Sequence, residues 1–309
     1  MGVELFFVLS GFLIGRIIFS KIEASQKPFD WISGFWFRRW MRTYPSYILF
    51  LFINIVLITT IREEDYPNIL EFSTFTQSLL SPHPSFFGEA WSLAVEEVFY
   101  FITPLVMSFS ILLTKNKNVG VLISIFIMLL APLILRVHAA LYTNMTFNEI
   151  RTISLYRVDS IMIGVVFAWL FIHERINKFA RLGMMLIPLA AYISAKPDAY
   201  IDKSIVLKIF LFNVSNVGFA CLIVAGYKLK ITGLVKKIAA HMARWSYAAY
   251  LTNLPVLLTI RYFTQPPITI FDCILLWGTF ILFTLLTAAI VYSLFERKVL
   301  KYRDAIRAK

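Results

Sequence analysis

Gly2-Val3-Glu4-Leu5-Phe6-Phe7-Val8-Leu9-Ser10-Gly11-Phe12-Leu13-Ile14 is an apolar run with one carboxylate near its start and a Ser-Gly pair in its middle. Continued to residue 19, it reaches the roughly 17 residues a helix needs to cross the hydrocarbon core of a bilayer. The rest of the chain repeats the pattern. Apolar runs at 45–61, 89–114, 119–141, 152–172, 182–195, 204–226, 245–262 and 268–295 alternate with charged segments, and the sixth run of the full set, 182–195, is short. The predicted fold is all-α: a polytopic transmembrane helix bundle of about nine helices, one domain over 1–309 with no internal repeat.

Composition agrees. Of 309 residues, 59% are hydrophobic, 16% are charged and 29 are Phe, with a mean hydropathy of +0.74. Soluble domains run at roughly 45–50% apolar, so this chain carries more apolar surface than a water-soluble fold can hide. The net charge of +12 does not point to nucleic acid, because the basic residues sit in loops and at helix ends, where they set topology and face anionic membrane lipids. Segments 20–44, 115–118, 173–181, 227–244 and 296–309 carry 21 Lys and Arg, against 6 in the alternating segments 62–88, 136–151, 196–203 and 261–267. The positive-inside rule then places the C-terminus and the arginines near residue 40 in the cytoplasm, and residue 1 on the far side. Cys221 and Cys273 lie inside apolar runs and suggest neither a disulfide framework nor a zinc site. No metal is expected.

Polar residues inside membrane spans are costly and mark function by default. In Trp91-Ser92-Leu93-Ala94-Val95-Glu96-Glu97-Val98-Phe99-Tyr100, Ser92, Glu96 and Tyr100 recur every four residues and form one helical stripe. Arg157 and Asp159, two apart in Tyr156-Arg157-Val158-Asp159, occupy different helix faces, so each is expected to pair with another helix. Glu96 is the expected partner of Arg157. Arg38, Arg39 and Arg42 sit at a helix mouth ahead of Pro45, with Arg38 and Arg42 on one face. Guanidinium groups there can grip phosphates through paired hydrogen bonds, or they can anchor topology beside an aromatic belt. Glu4 reads equally as an interfacial carboxylate.

Taken in order, these segments resemble the acyltransferase-3 family of integral membrane acyltransferases. Residues 2–14 resemble its G-V-D-L-F-F-V-L-S-G-F-L-I motif, with Glu4 in place of Asp. Residues 38–45 resemble R-R-x-x-R-x-x-P, residues 91–100 resemble W-S-L-x-V-E-x-x-F-Y, and residues 157–164 resemble R-x-D-x-x-x-x-G. Weaker echoes are Trp245-Ser246-Tyr247-Ala248-Ala249-Tyr250-Leu251-Thr252-Asn253-Leu254-Pro255, where Asn253 replaces a usual His, and Phe295-Glu296-Arg297-Lys298, where Lys298 replaces a Pro.

The resemblance implies transfer of an acyl group, acetyl as first candidate, from cytoplasmic acyl-CoA to a hydroxyl of a cell-surface or exported carbohydrate or glycolipid. It further implies a bacterial inner-membrane location. Glu96 and Arg157 become candidate catalytic residues. Arg38, Arg39 and Arg42 become candidates for holding the acyl-CoA co-substrate, and Trp91, Ser92, Tyr100, Asp159 and Glu4 for lining the acceptor cavity. The family's usual first helix, with an Arg and a His taken as general base, has no counterpart ahead of residue 2. His83, His138, His173 and His241 all fall in predicted loops or helix ends. The alternatives are an inactive, N-terminally truncated relative and a transporter or flippase, although no inverted repeat supports the latter.

Overall fold

The computed structural model describes residues 2–61, 67–174, 183–227 and 229–307. Among these all regular structure is helical: α1 (Gly2–Ala24), α2 (Ile32–Ile61), α3 (Ile69–Ser73), α4 (Ala90–Thr114), α5 (Lys117–Tyr142), α6 (Phe147–Thr152), a 3₁₀ turn (Ser154–Tyr156), α7 (Val158–Ile172), α8 (Leu186–Ser194), α9 (Asp198–Asp202), α10 (Ile205–Gly226), α11 (Gly233–Phe263), α12 (Ile270–Val291), a π-helical turn (Tyr292–Glu296) and α13 (Arg297–Arg307). Helices close all their backbone hydrogen bonds internally, which is what hydrocarbon demands.

Seven of the described segments are long and apolar enough to cross a membrane: Gly2–Ala24, Ile32–Thr60, Ala90–Thr114, Lys117–Tyr142, Ser154–Ile172, Ile205–Gly226 and Ile270–Ile306. Two of the nine expected runs fall outside this set. The run at 182–195, whose first residue lies outside the described residues, yields only α8, nine residues long. At 1.5 Å per residue that covers about half of a bilayer core. The run at 245–262 is the second half of α11, a 31-residue helix whose first half carries Lys236, Lys237, His241 and Arg244. Apolar side chains left outside the packing, such as Phe52, Leu113, Phe126 and Ile274, are what lipid covers.

The chain divides into two compact units, 1–33 with 77–83 and 91–229, and 34–76 with 84–90 and 230–309. In the first, α1 packs along α7, and both pack on α10; α5 packs on α7 and α10, and α8 on α10. Val8, Phe12, Ile163, Phe167, Phe219 and Val224 fill the core among α1, α7 and α10. The α1–α7 contact is backbone to backbone. A Cβ on Gly11 would lie 1.9 Å from the carbonyl oxygen of Ile161, and one on Gly164 would lie 2.2 Å from that of Val8. Small residues permit this approach in membranes, where close van der Waals packing replaces the hydrophobic drive for helix association. α4 and α5 meet the same way, through Gly120 against Ile111. Thr146 and Glu149 close a capping box at α6, and the Thr146 backbone N–H holds the exposed Glu149 carboxyl below its ordinary pKa.

In the second unit, α11 packs on α12. Tyr247 and Tyr250, one turn apart, donate to the carbonyls of Thr43 and Glu89 at 2.8 and 2.9 Å. Tyr47 is fully buried and donates to the carbonyl of Phe72 at 2.9 Å.

Candidate functional site

The polar groups of the first unit converge inside its apolar packing. Ser92, Glu96 and Tyr100 are all buried on α4, so the four-residue stripe faces inward. Across from it stands Ser10 of α1. Its hydroxyl donates to Glu96 Oε1 at 2.5 Å and lies 2.6 Å from the Tyr100 hydroxyl, while Tyr100 also donates to Glu96 Oε1. One carboxylate is thus gripped by a hydroxyl from its own helix and one from a facing helix. Glu97 beside it is also buried. At the start of α4, Trp91 meets the edge of Phe7 with centroids 5.9 Å apart, and the Arg151 guanidinium stands 5.4 Å over its indole. Immediately before α4, burial pushes the Glu89 carboxyl above its ordinary pKa.

Arg157 and Asp159 point to different helices, as their spacing requires, but the expected Glu96–Arg157 pair does not form. Arg157 Nη2 pairs with Glu4 Oε1 of α1 at 3.2 Å, and Arg157 also donates to Ser160 Oγ from Nε and Nη2 at 3.2 and 3.1 Å. Its guanidinium lies 3.7 Å over the Phe212 ring. The reason is geometric. Close α1–α7 packing delivers the Glu4 carboxylate to the N-terminus of α7, where Arg157 stands, while Glu96 already accepts two hydroxyls. Glu4 is therefore a buried partner in an ion pair.

Asp159 takes the second arginine. Arg136 Nη1 and Nη2 reach Asp159 Oδ1 and Oδ2 at 2.8 and 2.6 Å. Asn213 of α10 bridges the two, donating to Asp159 Oδ2 and accepting from Arg136 Nη2, each at 2.9 Å. Arg136 also donates to the carbonyl of Tyr156. Arg136 falls where the run 119–141 overlaps the charged segment 136–151, and α5, which continues to Tyr142, holds it fully buried. The rule that flagged Arg157, an ionisable residue within an apolar run, applies equally to Arg136. The Ser10-Gly11 pair divides its work. Gly11 does the packing, and Ser10 binds Glu96.

Arg38, Arg39 and Arg42 lie on α2, in the second unit. Arg42 is exposed and the other two half-buried. The same unit holds Glu296, a buried carboxylate in the π-helical turn close to Ser46 and Arg42. Of the histidines, His173 and His241 bond backbone carbonyls one turn earlier and His138 is exposed. The His83 backbone N–H donates to Thr152 Oγ1 at 3.1 Å, next to the Arg151 that covers Trp91. Among the described residues no group of three His, Cys, Asp or Glu is placed to hold a metal.

The family profile described as Acyltransferase domain, that of the acyltransferase-3 family, matches residues 1–296. The chain belongs to this family. It is 23% identical over 326 aligned positions to the O-acetyltransferase OatA of Staphylococcus aureus (strain NCTC 8325 / PS 47), an alignment covering 97% of this chain and 52% of that protein. It is 28% identical over 137 positions to the peptidoglycan O-acetyltransferase OatA of Listeria monocytogenes, covering 38% of this chain and 21% of the relative. The chain thus spans about half the length of the S. aureus relative. No solved structure matches it. Glu4, Glu96, Arg157 and Asp159 fall on segments that carry the family resemblance, whereas Arg136 and Asn213 do not.

Proposed function

We propose that this acyltransferase-3 family member transfers an acyl group, acetyl first among candidates, from a cytoplasmic acyl-CoA donor to a hydroxyl of an exported carbohydrate. The family match and the O-acetyltransferase names of the relatives support the class of reaction. The name of the L. monocytogenes relative makes a wall glycan the first acceptor to test. The acceptor oxygen attacks the thioester carbonyl carbon, the carbon–sulfur bond breaks, and the hydroxyl proton ends on the coenzyme thiolate. Arg38, Arg39 and Arg42 bind the donor phosphates, a task suited to guanidinium forks. Trp91, Ser92 and Tyr100 line the acceptor side, and Glu4 with Arg157 and Asp159 with Arg136 fix the bundle around it. The lysine and arginine distribution supports a cytoplasmic C-terminus, and the bacterial sources of the relatives support a bacterial inner membrane.

The observation that carries this reading is the Ser10–Glu96–Tyr100 constellation: a buried carboxylate on two hydroxyls in a span where an unused charge would be selected against. Glu96 positions these hydroxyls against the acceptor. The test is acetyl transfer from labelled acetyl-CoA to muropeptide glycan in membrane vesicles containing the chain. Glu96→Gln and Ser10→Ala are expected to lower turnover by about 10²-fold, in the range of a lost positioning or proton-handling group, while the protein still unfolds at the wild-type midpoint. Unchanged transfer in Glu96→Gln and Arg157→Ala would refute the assignment.

A further inference from the structure

A cavity of about 230 Å³ opens where α1 and α4 end and α5 begins. Lys27, Lys115 and Lys117 line it together with Trp31, Ile111 and Leu112. Its walls are fixed. Ser108 Oγ donates to the carbonyl of Pro28 at 2.6 Å, and Phe29 packs edge-on against Phe109 with centroids 5.2 Å apart, so the α1–α2 connection is folded down onto α4. Lys117 Nζ donates to the carbonyls of Glu23 and Ser25 at 3.0 and 2.8 Å, which leaves one of its three N–H groups for another acceptor. Lys115 stands at a positive φ of 53°, a left-handed turn that reverses the chain between α4 and α5. Among the described residues no ion pair uses Lys27, Lys115 or Lys117. Glu23 at the end of α1 and Asp30 of the connection are exposed and are not among the lining residues.

Three ammonium groups around one cavity, with no carboxylate lining it, repel one another unless an anion joins them. The depth of the site selects the kind of anion. The cavity lies at the level of three helix ends, hence at the membrane–water interface, and its apolar wall continues into Phe109, Leu112 and Leu113 of α4, which are 54%, 51% and 81% exposed. Trp31 is the amphipathic residue favoured at that depth. An amphiphile matches both halves: its phosphate among the lysines, its acyl chains along α4. We propose that this cavity binds the phosphodiester headgroup of an anionic phospholipid. Its lining residues include none of the polar cluster around Glu96 and none of the arginines of α2. Charge complementarity with helix-end lysines is the recognised basis of such headgroup sites.

The experiment is a titration of the purified full chain in detergent with dioleoyl phosphatidylglycerol, with phosphatidylcholine as the zwitterionic comparison, read as bound lipid by native mass spectrometry. Phosphatidylglycerol is expected to bind at least tenfold more tightly than phosphatidylcholine. Lys27→Gln/Lys115→Gln is expected to weaken it by about tenfold or more, the scale of two lost lysine–headgroup attractions. Lys236→Gln/Lys237→Gln removes the same charge from exposed positions of α11 and is expected to change nothing. Equal binding of the two lipids, or equal weakening by the two double variants, would overturn the site. So would full displacement of phosphatidylglycerol by inorganic phosphate, which would make it a free-anion site.

Discussion

Gly164→Ala adds one methyl group where α7 touches α1, and the structure fixes what that methyl meets. The new Cβ would lie 2.2 Å from the Val8 oxygen, 2.7 Å from the Phe12 nitrogen and 2.9 Å from the Gly11 Cα. All three are backbone atoms, so no side chain can rotate away, and α1 must recede by about 1 Å to restore a normal C···O contact of roughly 3.3 Å. Overpacking of this kind costs about 1–3 kcal/mol. Alanine regains about 0.5–1 kcal/mol through its better helix propensity, so a net loss of about 1–2 kcal/mol is expected. The displacement also draws Glu4 away from Arg157 and Ser10 away from Glu96, so acetyl transfer should fall together with stability. Gly278→Ala is the comparison, because a Cβ there has nothing within 4 Å and should leave stability equal or slightly higher. The assay is unfolding of the detergent-solubilised protein followed by circular dichroism, alongside transfer in vesicles. If Gly164→Ala unfolds like Gly278→Ala, the close α1–α7 packing described here is wrong.

Asp159→Ala strands Arg136 in the bundle and should destabilise by about 3–5 kcal/mol, whereas Arg136→Met combined with Asp159→Leu should recover most of that loss; a double-variant cycle in the same unfolding assay checks this. Burial raises the Glu89 pKa above 4.5 in the folded chain. As pH climbs from about 4.5 towards the raised value, the unfolded chain gives up this proton first, so the contribution of Glu89 to stability falls across that window and is level above it. Glu89→Gln should remove that decline from the stability–pH curve, and an unchanged curve would discount the burial.

Much of the candidate site was legible because membranes penalise polar groups so heavily. Any Glu, Asp or Arg inside an apolar run announces itself, and the four-residue spacing of Ser92, Glu96 and Tyr100 gave their shared face before any contact was known. Pairing was not legible. Glu4 and Glu96, each on another helix, were both possible partners for Arg157, and spacing along the chain does not say which of those helices lies opposite. Arg136 escaped notice for a different reason: it lies where the run 119–141 overlaps the charged segment 136–151, and hydropathy alone does not decide to which of the two it belongs.

From composition and periodicity alone, this protein had to be a bundle of membrane-crossing helices, because hydrocarbon accepts its apolar runs and forbids unpaired backbone within them. Tertiary structure alone decided that Gly11 and Gly164 bring α1 and α7 into backbone contact. From that contact follow Glu4 as the partner of Arg157 and the neighbourhood of α1 in which Ser10 reaches Glu96. A hydrogen bond needs its two atoms within about 3 Å, and only the packing of helices distant in sequence sets such distances.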